Sequence, residues 1–201
     1  MTITTPPALR RLLARIEGAR ELDPAADALD DVAARVAPPG RVDRVLRGDG
    51  LGHALHPLLT DFPLGMWMSA NYVDVFGGRH ARPAATGLLA GGLLAALPTI
   101  ASGLAEWRTT RGAPRRVGVA HAAVNGAGFM LYLASLVLRL RGRHRAAVGV
   151  GLLGGVTVTA GGYLGGHLSL VHKISSFDPA LGPPAAPAAG PAGGPPGDAA
   201  A

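Results

Sequence analysis

The residues of this chain that could do chemistry are histidines, carboxylates and an asparagine, and they recur at the ends of long apolar runs. The segment Gly52–Gly65, GHALHPLLTDFPLG, opens the first run with His53, His56 and Asp61. Glu106 closes the second run. His121 opens the third with Asn125 one helical turn on, and His167 lies near the end of the fourth, one turn after Tyr163. Ionisable groups in membrane helices cost free energy and normally point at one another inside a bundle. The pattern therefore predicts one polar site near one membrane face, formed by His53, His56, His121 and His167. Neutral imidazoles on facing helices are axial ligands of a b-type haem, and helix-bundle interiors house such sites. Asp61, Glu106, Asn125 and Tyr163 then orient the imidazoles or tune the iron. Asp61 and Glu106 equally complete a mixed histidine/carboxylate site for a transition metal ion. The residues by themselves leave haem and metal both open.

Plainer roles compete with each of these. Span-four glycines such as Gly151, Gly155, Gly162 and Gly166 either admit a flat macrocycle or simply let helices pack closely. His80, His144 and His172 stand beside basic loops or the tail and read as interfacial anchors. His53 fits an anchor as well as a ligand. Asp61 suits the positive start of a helix. Pro63 and Pro98 are expected to bend spans one and two.

Four apolar helices are needed to position these groups. Their expected limits are about residues 57–77, 84–105, 117–138 and 146–171, each close to the length that crosses a hydrocarbon core. Short basic connections make neighbours antiparallel, and in lipid only helices or closed barrels satisfy the backbone. The expected fold is all-α: an up-down four-helix membrane bundle over residues 51–175. Composition agrees, with a mean hydropathy of +0.28 and 16% charged residues. The chain has no cysteine, which excludes disulfides and cysteine-ligated iron–sulfur clusters within it. A net charge of +6 raises nucleic-acid binding. The arginines, however, cluster between apolar runs, where basic residues flank membrane segments. No phosphate-binding loop or nucleophile triad is present, so a stand-alone hydrolase or ATPase is not expected.

Residues 1–50 read as an amphipathic arm, with Leu9, Leu12, Leu13 and Ile16, then Leu29, Val32, Ala33 and Val36, at helical spacing. Its eight arginines balance eight acidic residues, and no secretory signal is visible in it. The arm is expected to lie on the membrane surface or on the bundle. Residues 176–201, rich in proline, alanine and glycine, are expected to be disordered. Four spans put both termini on one side. The basic residues nearest the membrane number eight there and six on the other side, which favours a cytoplasmic N-terminus.

GHALHPLLTDFPLGMW, LPTIASGLAEW, RVGVAHAAVN and GGYLGGHL occur in that order. Together they resemble the bacterial membrane domain of unknown function 2231, across about residues 8–172. The resemblance implies a four-span inner-membrane protein with family positions His53, His56, Asp61, Glu106, His121, Asn125 and His167. Relatives are often fused to a Rieske-type iron–sulfur domain or found near cytochrome-like proteins, which implies electron transfer by association only. This chain shows no Rieske ligands after His167, so either a separate Rieske or cytochrome-type protein is the redox partner or this member uses none. Glu106 stands where many relatives have aspartate.

The expected function is a b-type haem electron-transfer subunit in the lipid bilayer, with a homo-oligomer open. The alternatives are a non-redox membrane anchor whose histidines only bond helix to helix, and a protein that handles metal ions.

Overall fold

The computed structural model describes residues 4–178 and residue 180. The described residues form seven α-helices: α1 (Pro7–Gly18), α2 (Asp23–Val36), α3 (Arg41–Leu46), α4 (Leu55–Phe76), α5 (Arg82–Trp107), α6 (Ala113–Leu140) and α7 (His144–Gly166). A π-helical turn, His167–Val171, extends α7. Proline stands at the start of α1, α2, α5 and α6, where its missing N–H costs nothing. Gly78 (φ 67°) and Gly142 (φ 73°) supply the left-handed backbone between consecutive long helices.

Among the described residues, three stretches are long and apolar enough to cross a membrane: Arg79–Trp107, Ala113–Leu140 and His144–Val171. The expected first span, α4, has 22 residues, about 33 Å of helix, but Asp61, Asn71 and Asp74 lower its hydropathy. Asp74 is nonetheless withdrawn from solvent. It forms a two-pronged ion pair with Arg139 at the far end of α6, and the two side chains are 1% and 3% exposed.

Each long helix packs on two others: α4 on α5 and α7, and α6 on α5 and α7. Between them lies a core of Trp67, Ala70, Leu89, Leu93, Ala96, Tyr132 and Val158, with Trp67 stacked on Tyr132 at 4.5 Å. Asn71 donates to the Tyr132 hydroxyl at 3.0 Å. The packing explains several glycines. A Cβ on Gly92 would lie 2.5 Å from the Trp67 indole, and one on Gly128 2.4 Å from Val158. These positions receive a neighbour's side chain.

The arm lies on the end of the helices formed by the α5–α6 connection. Leu13 and Ile16 pack with Val117 and Leu164, while Leu22, Ala26 and Leu29 pack with Trp107 and Val119. Arg116 grips both oxygens of Asp23 at 2.7 and 2.8 Å, Arg115 pairs with Asp30, and Arg108 donates to the Ala37 carbonyl. Three of the eight arginines and lysines counted toward a cytoplasmic N-terminus are therefore engaged by the arm.

The tail also differs from expectation where it is described. Phe177 forms a single antiparallel bridge with His53, and the Asp178 amide donates to the Gly52 carbonyl at 2.8 Å. Apart from residues 176–178 and 180, the 176–201 segment expected to be disordered lies outside the described residues.

Candidate functional site

His56 and His121 meet in the interior. They come from α4 and α6, which sit across from each other, and their rings lie 6.4 Å apart between centroids. Each ring is fixed through Nδ1. His56 Nδ1 is 2.9 Å from the Thr99 carbonyl on α5, and His121 Nδ1 is 2.9 Å from the Gly161 carbonyl on α7. A carbonyl only accepts, so Nδ1 carries the proton and the neutral ring keeps its Nε2 lone pair for a ligand. The intervening helices make room with glycine. A Cβ on Gly103 of α5 would lie 2.8 Å from His56 Cε1, and one on Gly165 of α7 would lie 2.9 Å from His121 Cε1.

Thr99 has a second task at this level. Pro63 lacks the N–H that would bond the Leu59 carbonyl one turn back, and the Thr99 hydroxyl lies 3.1 Å from that carbonyl. The proline that interrupts α4 and the histidine that α4 presents are thus both held by one residue of α5. Ser102 also approaches His56 Nδ1 at 3.4 Å.

Asn125 lies beside the pair. Its amide donates to the His121 carbonyl at 3.0 Å and lies against the His121 ring, and Gly161 seats it. Glu106 is buried, and Oε1 accepts from the Ser176 amide while Oε2 has no partner among the described residues. It fastens the start of the tail. Tyr163 is 45% exposed on the outer face of α7, and Asp61 is exposed on α4. Helical spacing placed Tyr163 one turn before His167, but α7 is rotated so that Tyr163 faces outward. His53 is exposed, and its Nδ1 reaches only the adjacent Ala54 carbonyl.

His167 joins a second cluster. Its Nε2 lies 2.9 Å from Glu17 Oε1 of α1, and His172 Nε2 lies 2.8 Å from the same oxygen. The His167 and His172 rings stand edge-on at 4.9 Å. The ligand atoms of Glu17, His167 and His172 all fall within 4.8 Å of one another, a set that could hold a metal ion. The Glu17 carboxyl is held below the ordinary value of 4.5, first by the His167 hydrogen bond, against partial burial, and then by His172. The single four-histidine cluster expected from the sequence is therefore divided. His172, expected as an interfacial anchor, belongs to a cluster, and Glu17 was one acid among eight. The only sequence signal for the second group is the pair of histidines five residues apart, a spacing that does not align in an α-helix.

No curated protein and no solved structure matches this chain. Residues 52–177, well over half of it, match the family described as "Predicted membrane protein (DUF2231)". The match begins just before His56, includes His121, His167 and His172, and ends where Phe177 returns to His53. This chain belongs to the DUF2231 family of predicted membrane proteins.

Proposed function

We propose that α4–α7 form an up-down, four-span bundle of the bacterial inner membrane, and that the protein is an electron-transfer subunit binding b-type haem through His56 and His121. The span reading of α4 is supported by the buried Asp74–Arg139 pair, which hides its charge, and by apolar residues facing outward. Among these are Phe62, Tyr72 and Phe76 on α4, Leu94 on α5, Met130 on α6 and Val156 on α7. Residues 1–50 are the arm, 51–175 the bundle and 176–201 the tail.

One observation carries the haem reading: imidazoles from two opposed helices, each with Nδ1 committed to a backbone carbonyl, meet where the other two helices offer glycine. The donors fit haem iron. Haem iron takes neutral imidazole nitrogens of this kind, and the two rings lie 6.4 Å apart between centroids. Haem bound there would supply reversible one-electron chemistry. The Thr99 and Gly161 carbonyls would hold the rings in the Nε2-ligating tautomer, and Asn125 would keep the His121 ring in place. The cysteine-free chain leaves any iron–sulfur partner to a separate Rieske or cytochrome-type protein.

The test is a dithionite-reduced minus oxidised visible spectrum of protein expressed with ample haem, with a pyridine haemochrome assay. Sharp b-type bands are expected, lost in His56→Ala and His121→Ala but kept in His53→Ala and His167→Ala. A featureless spectrum from folded protein overturns the reading.

A second reading, a non-redox membrane subunit, is favoured by the same two imidazoles. Each bonds one helix to its neighbour, and Gly103 and Gly165 already close around the rings. It expects colourless protein whose His56 and His121 variants lose stability alone.

A further inference from the structure

We propose that Glu17, His167 and His172 form a three-ligand site for a borderline divalent transition ion such as zinc, and that the ion clamps the arm to the end of α7. Two imidazoles and one carboxylate are a ligand set that zinc takes while keeping a position open for water. Both Nε2 atoms already converge on one carboxylate oxygen, at 2.9 and 2.8 Å. All three residues are only partly exposed, so the ion could reach them.

The backbone provides an independent reason. Residues five apart in an α-helix point about 140° from each other. Here the helix widens into a π-turn over His167–Val171, with the His172 amide bonded to the His167 carbonyl at 3.2 Å. That closure brings His172 round to the side of His167, and π-turns are frequent at functional sites. Beyond it Lys173 takes a left-handed conformation, φ 56°, and the Ile174 amide returns to the Leu168 carbonyl. A side-chain-bearing residue is strained in that region, so the chain departs twice from plain helix around the two imidazoles.

The third ligand is placed as a cation would require. Glu17 lies at the C-terminal end of α1, where the negative helix end disfavours a carboxylate. Arg116, which reaches the Glu17 backbone carbonyl, is spent on that carbonyl and on the Asp23 carboxylate. Each Nε2–H donates to the Glu17 carboxylate, so a metal ion would take the place of those two protons, each neutral imidazole then carrying its proton on Nδ1. The site is separate from the His56–His121 pair in residues and in helices.

The experiment uses the full chain in mild detergent, stripped with a chelator and titrated with Zn²⁺ by calorimetry and with Co²⁺ by visible absorption. One ion per chain is expected, with Co²⁺ bands of histidine–oxygen coordination. Glu17→Gln, His167→Gln and His172→Gln should each weaken binding by about 10-fold or more, while His56→Gln and His121→Gln leave it unchanged. A variant that fails to fold is replaced by a measurement on the wild type, where saturating Zn²⁺ should slow tryptic cleavage at Arg20. Absence of saturable binding by the wild type overturns the proposal. So does binding that persists unchanged in all three ligand variants, which would mean adventitious coordination only, and so does cleavage at Arg20 that Zn²⁺ leaves unaltered.

Discussion

Gly103 and Gly165 show how single residues decide this interior. Neither needs a special backbone angle. Each is glycine because an imidazole from the next helix occupies the place of its Cβ, at 2.8 Å for Gly103 and 2.9 Å for Gly165. Gly103→Ala and Gly165→Ala should each lower stability in detergent by about 1–3 kcal/mol, the usual cost of overfilling a packed core. Truncating the facing histidine should recover part of the loss. Thermal unfolding of Gly103→Ala against Gly103→Ala/His56→Ala measures this, and additive losses would show that the imidazole does not occupy the space. His56 and His121 were legible as chemically active from their types alone. Which nitrogen each presents was not, because that depends on carbonyls 40 or more residues away in sequence, at Thr99 and Gly161.

The arm shows the logic at the scale of an element. Its helices are short, and their stability comes from docking an apolar face on Trp107, Val117, Val119 and Leu164. Charge then fixes where they dock, through Asp23 on Arg116, Asp30 on Arg115 and Glu17 on the two imidazoles. Arg116 holds the Asp23 carboxyl below its ordinary value of 3.8, and His167 and His172 hold Glu17 below 4.5. For carboxyls lowered in the folded state, the stabilisation is present above the unfolded pKa and disappears as pH falls through the folded one. Docking should therefore hold at pH 5 and above and weaken progressively below about 4.5, with the Glu17 contribution absent from Glu17→Gln. Trp107 fluorescence in a Trp67→Phe background reports it, because Trp107 packs against Ala26 of α2. A signal flat through that window would show that these carboxylates do not hold the arm.

Across the whole molecule, polar groups concentrate at the two ends of the long helices, and the middle is filled by Trp67, Tyr132, Leu89 and Val158. At the end away from the arm, Asp74 and Arg139 form the most buried ion pair among the described residues. Removing one partner strands the other charge. Asp74→Leu or Arg139→Met alone should destabilise by about 3–5 kcal/mol, while the double variant should recover most of that, because an apolar pair costs little in such a place. Unfolding of the four proteins of this cycle in detergent checks it. A double variant as weak as the sum of the singles would rule out coupling between the two.

The sequence by itself determined that the chain is helical and membrane-embedded, since uncharged runs of some 22 residues leave few other solutions in lipid. It also determined that residues 1–50 form amphipathic helices, because apolar periodicity is a local property. His56, His121 and Asn125 were legible together because each opens a run at the same end of the chain's up-down path. The rotation of each helix about its own axis was not legible. That rotation turned Tyr163 outward, and it is set by which side chain finds which glycine on a neighbouring helix. The Glu17–His167–His172 cluster was hidden for a related reason. It needs a π-turn to align two histidines five residues apart and a docked helix to bring a carboxylate from 150 residues upstream. Spacing along the chain encodes neither, and only the packed tertiary structure decides both.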